Sequence, residues 1–105
     1  MLDKDGYPTE AILKTIETWS FTEKSIEDFL NLIKCLWSYP DRYVLSGKRI
    51  LRLYLSTGGW SGNENVIEAM QRNAIFWMMC WQKSVRGGHF WFRIDKKQWA
   101  RVEGR

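Results

Sequence analysis

The hydrophobic period changes once along this chain, and that change limits the folds open to it. Before Pro40, apolar side chains recur at helical spacing. The longest such stripe comprises Ile26, Phe29, Leu30, Ile33, Leu36 and Trp37. After Asp41 they alternate, so that Leu51, Leu53 and Leu55 share one side of a strand. The pattern predicts a single α+β domain over residues 1–105, with a small antiparallel sheet packed against helices.

The predicted order of elements is α-α-β-β-α-β. Thr9 and Ser25 are the predicted N-caps of the first two helices, and Ser46-Gly47 is the predicted turn of a hairpin. A third helix is predicted from Ser61, with Glu64 completing a capping box, to about Trp81. Its stripe comprises Ile67, Met70, Ala74, Trp77, Met78 and Trp81. Because this helix is apolar nearly all round from Ala74, its second half is expected to be the buried centre.

The C-terminal part is predicted to hold one more strand and a tail. Gly87-Gly88 is expected to end the helical region. Residues 89–94 form the strand, with Phe90, Phe92 and Ile94 directed inward. A polar, basic tail follows from about residue 95, with Trp99 as its one anchor.

Charge and cysteine usage limit the partners and the cellular compartment that this sequence predicts. The net charge is +4, from 16 Lys and Arg against 12 Asp and Glu, and the basic excess lies after residue 41. This charge permits a nucleic acid or an acidic protein as partner. Cys35 and Cys80 lie in apolar helical stretches and are predicted to be buried thiols in a reducing cytoplasm. We expect no membrane span, since the longest apolar run has eight residues, and no metal or cofactor, since two distant cysteines and one histidine cannot make a structural zinc site.

A glycine-rich loop over Ser56–Glu64 is the first candidate site. It joins the end of a buried strand to the start of a helix, where free amides and the helix dipole favour an anion. If the last strand pairs antiparallel with the second, His89 lies beside Ser56 and Arg86 faces the loop. The candidate binding residues are Ser56, Thr57, Gly58, Gly59, Trp60, Ser61, Asn63, Arg86 and His89. They favour a non-enzymatic binding protein that holds a phosphate-bearing small molecule or a protein partner.

Two alternatives stay open. A small enzyme acting on a nucleotide or nucleic acid would use His89 and Glu64 as acid and base. A nucleic-acid binder would use the outward sheet face, where basic and aromatic side chains interleave. That face comprises Arg52, Tyr54, Trp91 and Arg93.

The seven tryptophans help to place a binding surface. Helical spacing predicts that Trp19, Trp37, Trp77 and Trp81 are core residues. Trp60 and Trp91 have no such assignment, so they are the rings expected at a binding surface.

The chain resembles a family of small bacterial and phage-encoded proteins that have no characterised activity. The resemblance rests on residues 53–64 (LYLSTGGWSGNE), Phe76-Trp77, Cys80-Trp81, Ser84 and residues 86–92 (RGGHFWF), and extends to residues 5–9 (DGYPT) and 37–40 (WSYP). It implies that the two glycine-bearing segments belong together as one signature. By association, it also implies an accessory, inhibitor or anti-defence protein.

Overall fold

Five α-helices and four strands follow one another in the computed structural model, which describes residues 1–103. They are α1 (Glu10–Glu17), α2 (Ile26–Leu36), β1 (Tyr43–Ser46), β2 (Ile50–Ser56), α3 (Ser61–Arg72), α4 (Ala74–Cys80), β3 (Trp81–Val85), β4 (His89–Asp95) and α5 (Lys96–Val102). One turn of 3-10 helix over Pro40–Arg42 precedes β1. The predicted α+β class is confirmed, with one more helix in the middle of the chain, one more strand and a C-terminal helix.

The strands form one antiparallel sheet in the order β1-β2-β4-β3. The central pair, β2 and β4, sets Leu53 opposite Phe92 on the inner face and Tyr54 opposite Trp91 on the outer face. All five helices of residues 1–103 contribute buried side chains to the core on the inner face. The helices therefore lie on one side of the sheet, and its other side is left open.

The first two helix starts are as predicted, and the third is not. Thr9 and Ser25 cap α1 and α2 by accepting hydrogen bonds from backbone amides three residues on. The N-cap of α3 is Trp60, which makes no side-chain capping bond, and Ser61 is already the first helical residue. Ser61 instead donates a hydrogen bond to the hydroxyl of Tyr7, at 2.9 Å. The predicted capping box with Glu64 is therefore wrong.

The predicted long third helix is broken at Asn73. Asn73 has non-helical backbone angles (φ −82°, ψ 89°), and its side-chain oxygen accepts a hydrogen bond from Phe76 N, which starts α4. Its side-chain nitrogen donates to the carbonyl oxygens of Ile16 and Trp19, at 3.0 and 3.3 Å. Asparagine offers the backbone a local alternative to helical bonding. Here the same side chain also hydrogen bonds carbonyl oxygens at and just after the end of α1.

This break changes which apolar residues are buried. Phe76 and Cys80 point into the core, whereas Ile75 is 54% exposed, Met78 83% and Trp81 42%. The expectation of a buried helix centre, with Met78 and Trp81 in its core stripe, is therefore wrong. The helix ends at Cys80, and Trp81 begins a strand at the edge of the sheet.

Three smaller expectations also change. Gly87-Gly88 ends no helix, because the two residues form the turn between β3 and β4. The tail from residue 95 is helical over Lys96–Val102, and its predicted anchor Trp99 is fully buried. The tail's last residues, Gly104 and Arg105, lie outside the described part of the chain. Cys80 is buried as predicted, but Cys35 is exposed.

Replacing Asn73 by alanine should destabilise the fold by about 1–3 kcal/mol, because two carbonyl oxygens and the Phe76 amide lose their buried partner. Urea unfolding followed by circular dichroism measures the change. Gln71→Ala, at an exposed position of α3, is the control and should shift the unfolding free energy by less than about 0.5 kcal/mol. Equal losses in the two variants would contradict this role for Asn73.

Stability should also fall in alkali. Burial, with a smaller contribution from Cys35, raises the pKa of Tyr43 from 10.0 to about 12. Burial likewise raises the pKa of Cys80 from 9.0 to about 12, although the neighbouring Trp99 indole opposes the rise. The unfolded chain then releases these protons at lower pH than the folded protein, so the unfolding free energy decreases between pH 9.0 and about 12. In urea titrations across that window, Tyr43→Phe should show a shallower decrease than the native chain. An identical slope would refute the contribution of Tyr43.

Candidate functional site

The two glycine-bearing segments meet in space. Antiparallel pairing of β2 with β4 sets Ser56 opposite His89, as the sequence predicts. The amide of Thr57 donates to the carbonyl oxygen of Gly88, at 2.9 Å. Gly88 has φ +82°, and a Cβ there would collide with Oγ1 of Thr57. A glycine is therefore required at this point, because φ is positive and the Thr57 side chain leaves no room for a Cβ.

The predicted Ser56–Glu64 loop is shorter in the structure, because only residues 57–60 lie between β2 and α3. The polar groups of the Ser56–Glu64 segment are largely used inside the protein. Ser56 Oγ accepts a hydrogen bond from Arg42 Nη1, at 3.2 Å, and Thr57 Oγ1 accepts from Gly59 N, at 3.3 Å. Asn63 is buried, accepts from Ser38 N and donates to the carbonyl oxygens of Ser38 and Thr57. Ser56 and Asn63 bond this segment to the chain before β1, and Thr57 bonds within the loop, so these polar groups already have partners inside the protein.

Trp60 packs within the protein as well. Its indole contacts Tyr7, with ring centroids 4.6 Å apart, and lies against the backbone at Gly62. The N-terminal segment thus covers the start of α3, where the anion was expected. On the other side of the loop, Gly58 lies against the side chains of Tyr39 and Arg42.

Arg86 and His89 have different surroundings. Arg86 is exposed in the turn between β3 and β4. His89 lies on the outer sheet face, where its Nδ1 hydrogen bonds with the hydroxyl of Tyr54, at 2.6 Å. Glu64 belongs to α3 and lines a depression with Thr57, Gly88 and Phe90. The structure therefore brings His89 to Tyr54, and Glu64 to the helical side of the sheet.

The outer sheet face gathers all four residues of the nucleic-acid alternative. Arg52 is directly opposite Arg93, and Tyr54 is directly opposite Trp91. The Tyr54 and Trp91 rings are 5.0 Å apart between centroids. His89 joins them at 6.0 and 6.2 Å. We call this set, with Lys83, the open face.

Lys83 is the member that sequence reasoning missed. Its Nζ lies 4.5 Å from the centroid of the Trp91 ring. It belongs to β3, whose five residues are all exposed and therefore lack the alternation that marks a strand. Residues of the open face line a shallow depression of about 420 Å³, together with Val44, Ser46 and Gln82.

Charge is divided between the two sides of the sheet. Residues 1–41 hold eight acidic side chains and four basic ones, and they fold mainly into the helical layer. Within residues 1–103, Asp95 is the one acidic side chain on the four strands, whereas Arg52, Lys83 and Arg93 are basic. Basic side chains therefore outnumber acidic ones on the strands, where the aromatic rings are uncovered.

The close approach of the two loops predicts unequal costs for two glycine substitutions. Gly59→Ala and Gly88→Ala both force a side chain into a left-handed conformation, at a cost of about 1–2 kcal/mol. Only at Gly88 does the new methyl group meet Thr57, while nothing lies within 4 Å at Gly59. Gly88→Ala should therefore lower the free energy of unfolding by at least about 1 kcal/mol more. A smaller loss at Gly88 than at Gly59 would show that the approach is not tight.

Among residues 1–103, no cluster of three metal-ligating side chains exists, and no helix could cross a membrane. Comparison with known proteins finds no matching family model, no similar curated protein and no similar solved structure.

Proposed function

We propose that this protein binds single-stranded nucleic acid on the open face, as a binding protein without a catalytic step. Bases would stack on Tyr54 and Trp91, and phosphates would contact Arg52, Arg93 and Lys83. The observation that supports this proposal most is the cross-strand arrangement of an aromatic pair beside an arginine pair on an uncovered sheet. Stacking combined with phosphate contact is how sheets hold single strands.

The aromatic cluster is suited to unpaired bases. Tyr54, His89 and Trp91 are all half-buried, so each ring has one side held by its neighbours. The hydrogen bond between Tyr54 and His89 restrains the Tyr54 hydroxyl. Rings that lie on a sheet cannot enter a base-paired stack, so the face favours single strands over duplexes.

Lys83 covers Trp91 but does not prevent stacking. A cation–π contact at an exposed site contributes about 0.5–1 kcal/mol, whereas stacking of one base contributes about 1–3 kcal/mol. Lys83 is exposed, so a base can displace its ammonium from the ring. The displaced charge then lies beside the phosphates of the same strand.

The arginine pair is difficult to explain by folding alone. Like charges directly opposite on one sheet face are destabilising. Within residues 1–103, neither Arg52 nor Arg93 has an acidic side chain within 4.0 Å. A bound polyanion would relieve this repulsion, so phosphate binding accounts for the position of the two arginines.

The other functional hypotheses have less support from geometry. Binding of a phosphate-bearing ligand or a protein by the Ser56–Glu64 loop with Arg86 stays a prediction, and the loop's internal hydrogen bonds compete with it. Acid–base chemistry by His89 and Glu64 would need a common pocket, and the two residues line different surfaces. The cytoplasmic setting and an accessory, inhibitor or anti-defence role stay predictions that rest on cysteine usage and resemblance.

Replacing Trp91 by alanine should weaken binding of a labelled oligothymidylate of about twelve nucleotides by roughly tenfold, through loss of one stacked base. Fluorescence anisotropy at low salt measures the affinity. The native protein should bind the single strand more tightly than a duplex of the same length, and its affinity should fall as salt is raised.

Trp60→Ala is the matched control, because it removes an indole that packs on Tyr7 away from the open face. It should leave the affinity within about twofold of that of the native protein. If Trp60→Ala weakens binding and Trp91→Ala does not, the glycine loop is the site instead. If the native protein binds no single strand, or prefers the duplex, the proposal is wrong.

A further inference from the structure

A second basic surface continues from the open face onto α5. Arg93, Asp95, Lys97, Gln98 and Arg101 line a depression of about 390 Å³. Lys97 and Arg101 are four residues apart, so they lie on one side of the helix. Arg93 belongs both to this depression and to the open face.

The basic side chains of α5 face two different surroundings. Lys96 points to the helical layer, where its Nζ is 3.9 Å from a carboxylate oxygen of Glu27. Among residues 1–103, Arg93, Lys97 and Arg101 have no carboxylate within 4.0 Å. Asp95 lines the depression too, but one of its carboxylate oxygens accepts a hydrogen bond from Lys97 N as the cap of α5. Three cations therefore converge on a surface that holds one carboxylate.

The two depressions are joined through the arginine pair. Arg52 lines the depression that contains Tyr54 and Trp91, and it is the direct cross-strand partner of Arg93. From Trp91 to Asp95 the strand advances about 14 Å, and from Lys97 to Arg101 the helix advances about 6 Å. The β4 part alone extends about 14 Å, and α5 lengthens it, so the combined surface is longer than one nucleotide.

We propose that the ligand of this protein is an oligonucleotide whose bases stack on Tyr54 and Trp91 and whose phosphates continue past Arg93 to Lys97 and Arg101. This inference rests on the proposed function and specifies its ligand class. A mononucleotide would fill only the aromatic end. An extended strand of several nucleotides occupies both ends, within the range of about 4–16 nucleotides that single-strand binding folds cover.

The experiment compares oligothymidylates of about three and about ten nucleotides by anisotropy, over a series of salt concentrations. The double variant Lys97→Ala/Arg101→Ala should bind the short strand within about twofold of the native affinity. It should bind the long strand roughly tenfold more weakly at low salt. Its salt dependence for the long strand should be shallower by about 1.4 in logarithmic slope, since two phosphate contacts are lost.

The matched control is Arg72→Ala/Lys96→Ala, which removes the same charge from residues that face Glu17 and Glu27. It should change neither affinity by more than about twofold. An equal loss on both lengths in Lys97→Ala/Arg101→Ala, or an equal loss in the control, would mean that net charge acts and the α5 surface does not. The inference would then fail while the open face stands.

Two further outcomes separate the possible failures. If the native protein binds neither length, the proposed function and this inference fail together. If polyglutamate displaces the long strand, and Lys97→Ala/Arg101→Ala weakens polyglutamate binding but not strand binding, the α5 surface belongs to an acidic protein. That result would overturn the inference and leave the stacking site intact.

Discussion

The pairing of β2 with β4 is the contact on which the rest of this structure depends. It joins segments that are about forty residues apart in the chain. On the outer face it sets Ser56 opposite His89, Tyr54 opposite Trp91, and Arg52 opposite Arg93. A shift of one residue would turn every side chain of β4 to the opposite face. Phe92 and Ile94 would then leave the core, and Trp91 would enter it. Burial of the inner face therefore enforces the same register that assembles the outer one.

The helices cover only one face of the sheet, so the side chains of the two faces differ in their surroundings. Helices supply apolar surface to Leu51, Leu53 and Leu55, while the aromatic side chains of the outer face contact one another. Aromatic residues on an uncovered face bury part of their surface against one another, as Tyr54, His89 and Trp91 do. The acidic residues of the first two helices lie mainly in the helical layer, so they do not neutralise the arginines. A polarised domain follows from a chain whose total charge is unremarkable.

The sequence predicted features that depend on local pattern and missed those that depend on distant partners. Alternation predicted β2, β4 and the face on which each of their side chains lies, and the pairing argument placed His89 beside Ser56. The break at Asn73 was not predictable from the apolar run, because the carbonyl oxygens it bonds belong to residues more than fifty positions earlier. Trp60 lacked an explanation for the same reason, since Tyr7 is its partner. Lys83 was missed because an exposed edge strand has no hydrophobic period to recognise.

Gly88 connects the two glycine-bearing segments to the open face. Gly88 lets the turn after β3 approach Thr57 so closely that its carbonyl oxygen accepts the Thr57 amide. That bond continues the β2–β4 pairing one step beyond Ser56 and His89. Because His89 is the first residue of β4, its position at the turn decides whether its ring reaches Tyr54. Gly88 thus fixes the end of the sheet on which the aromatic cluster is built.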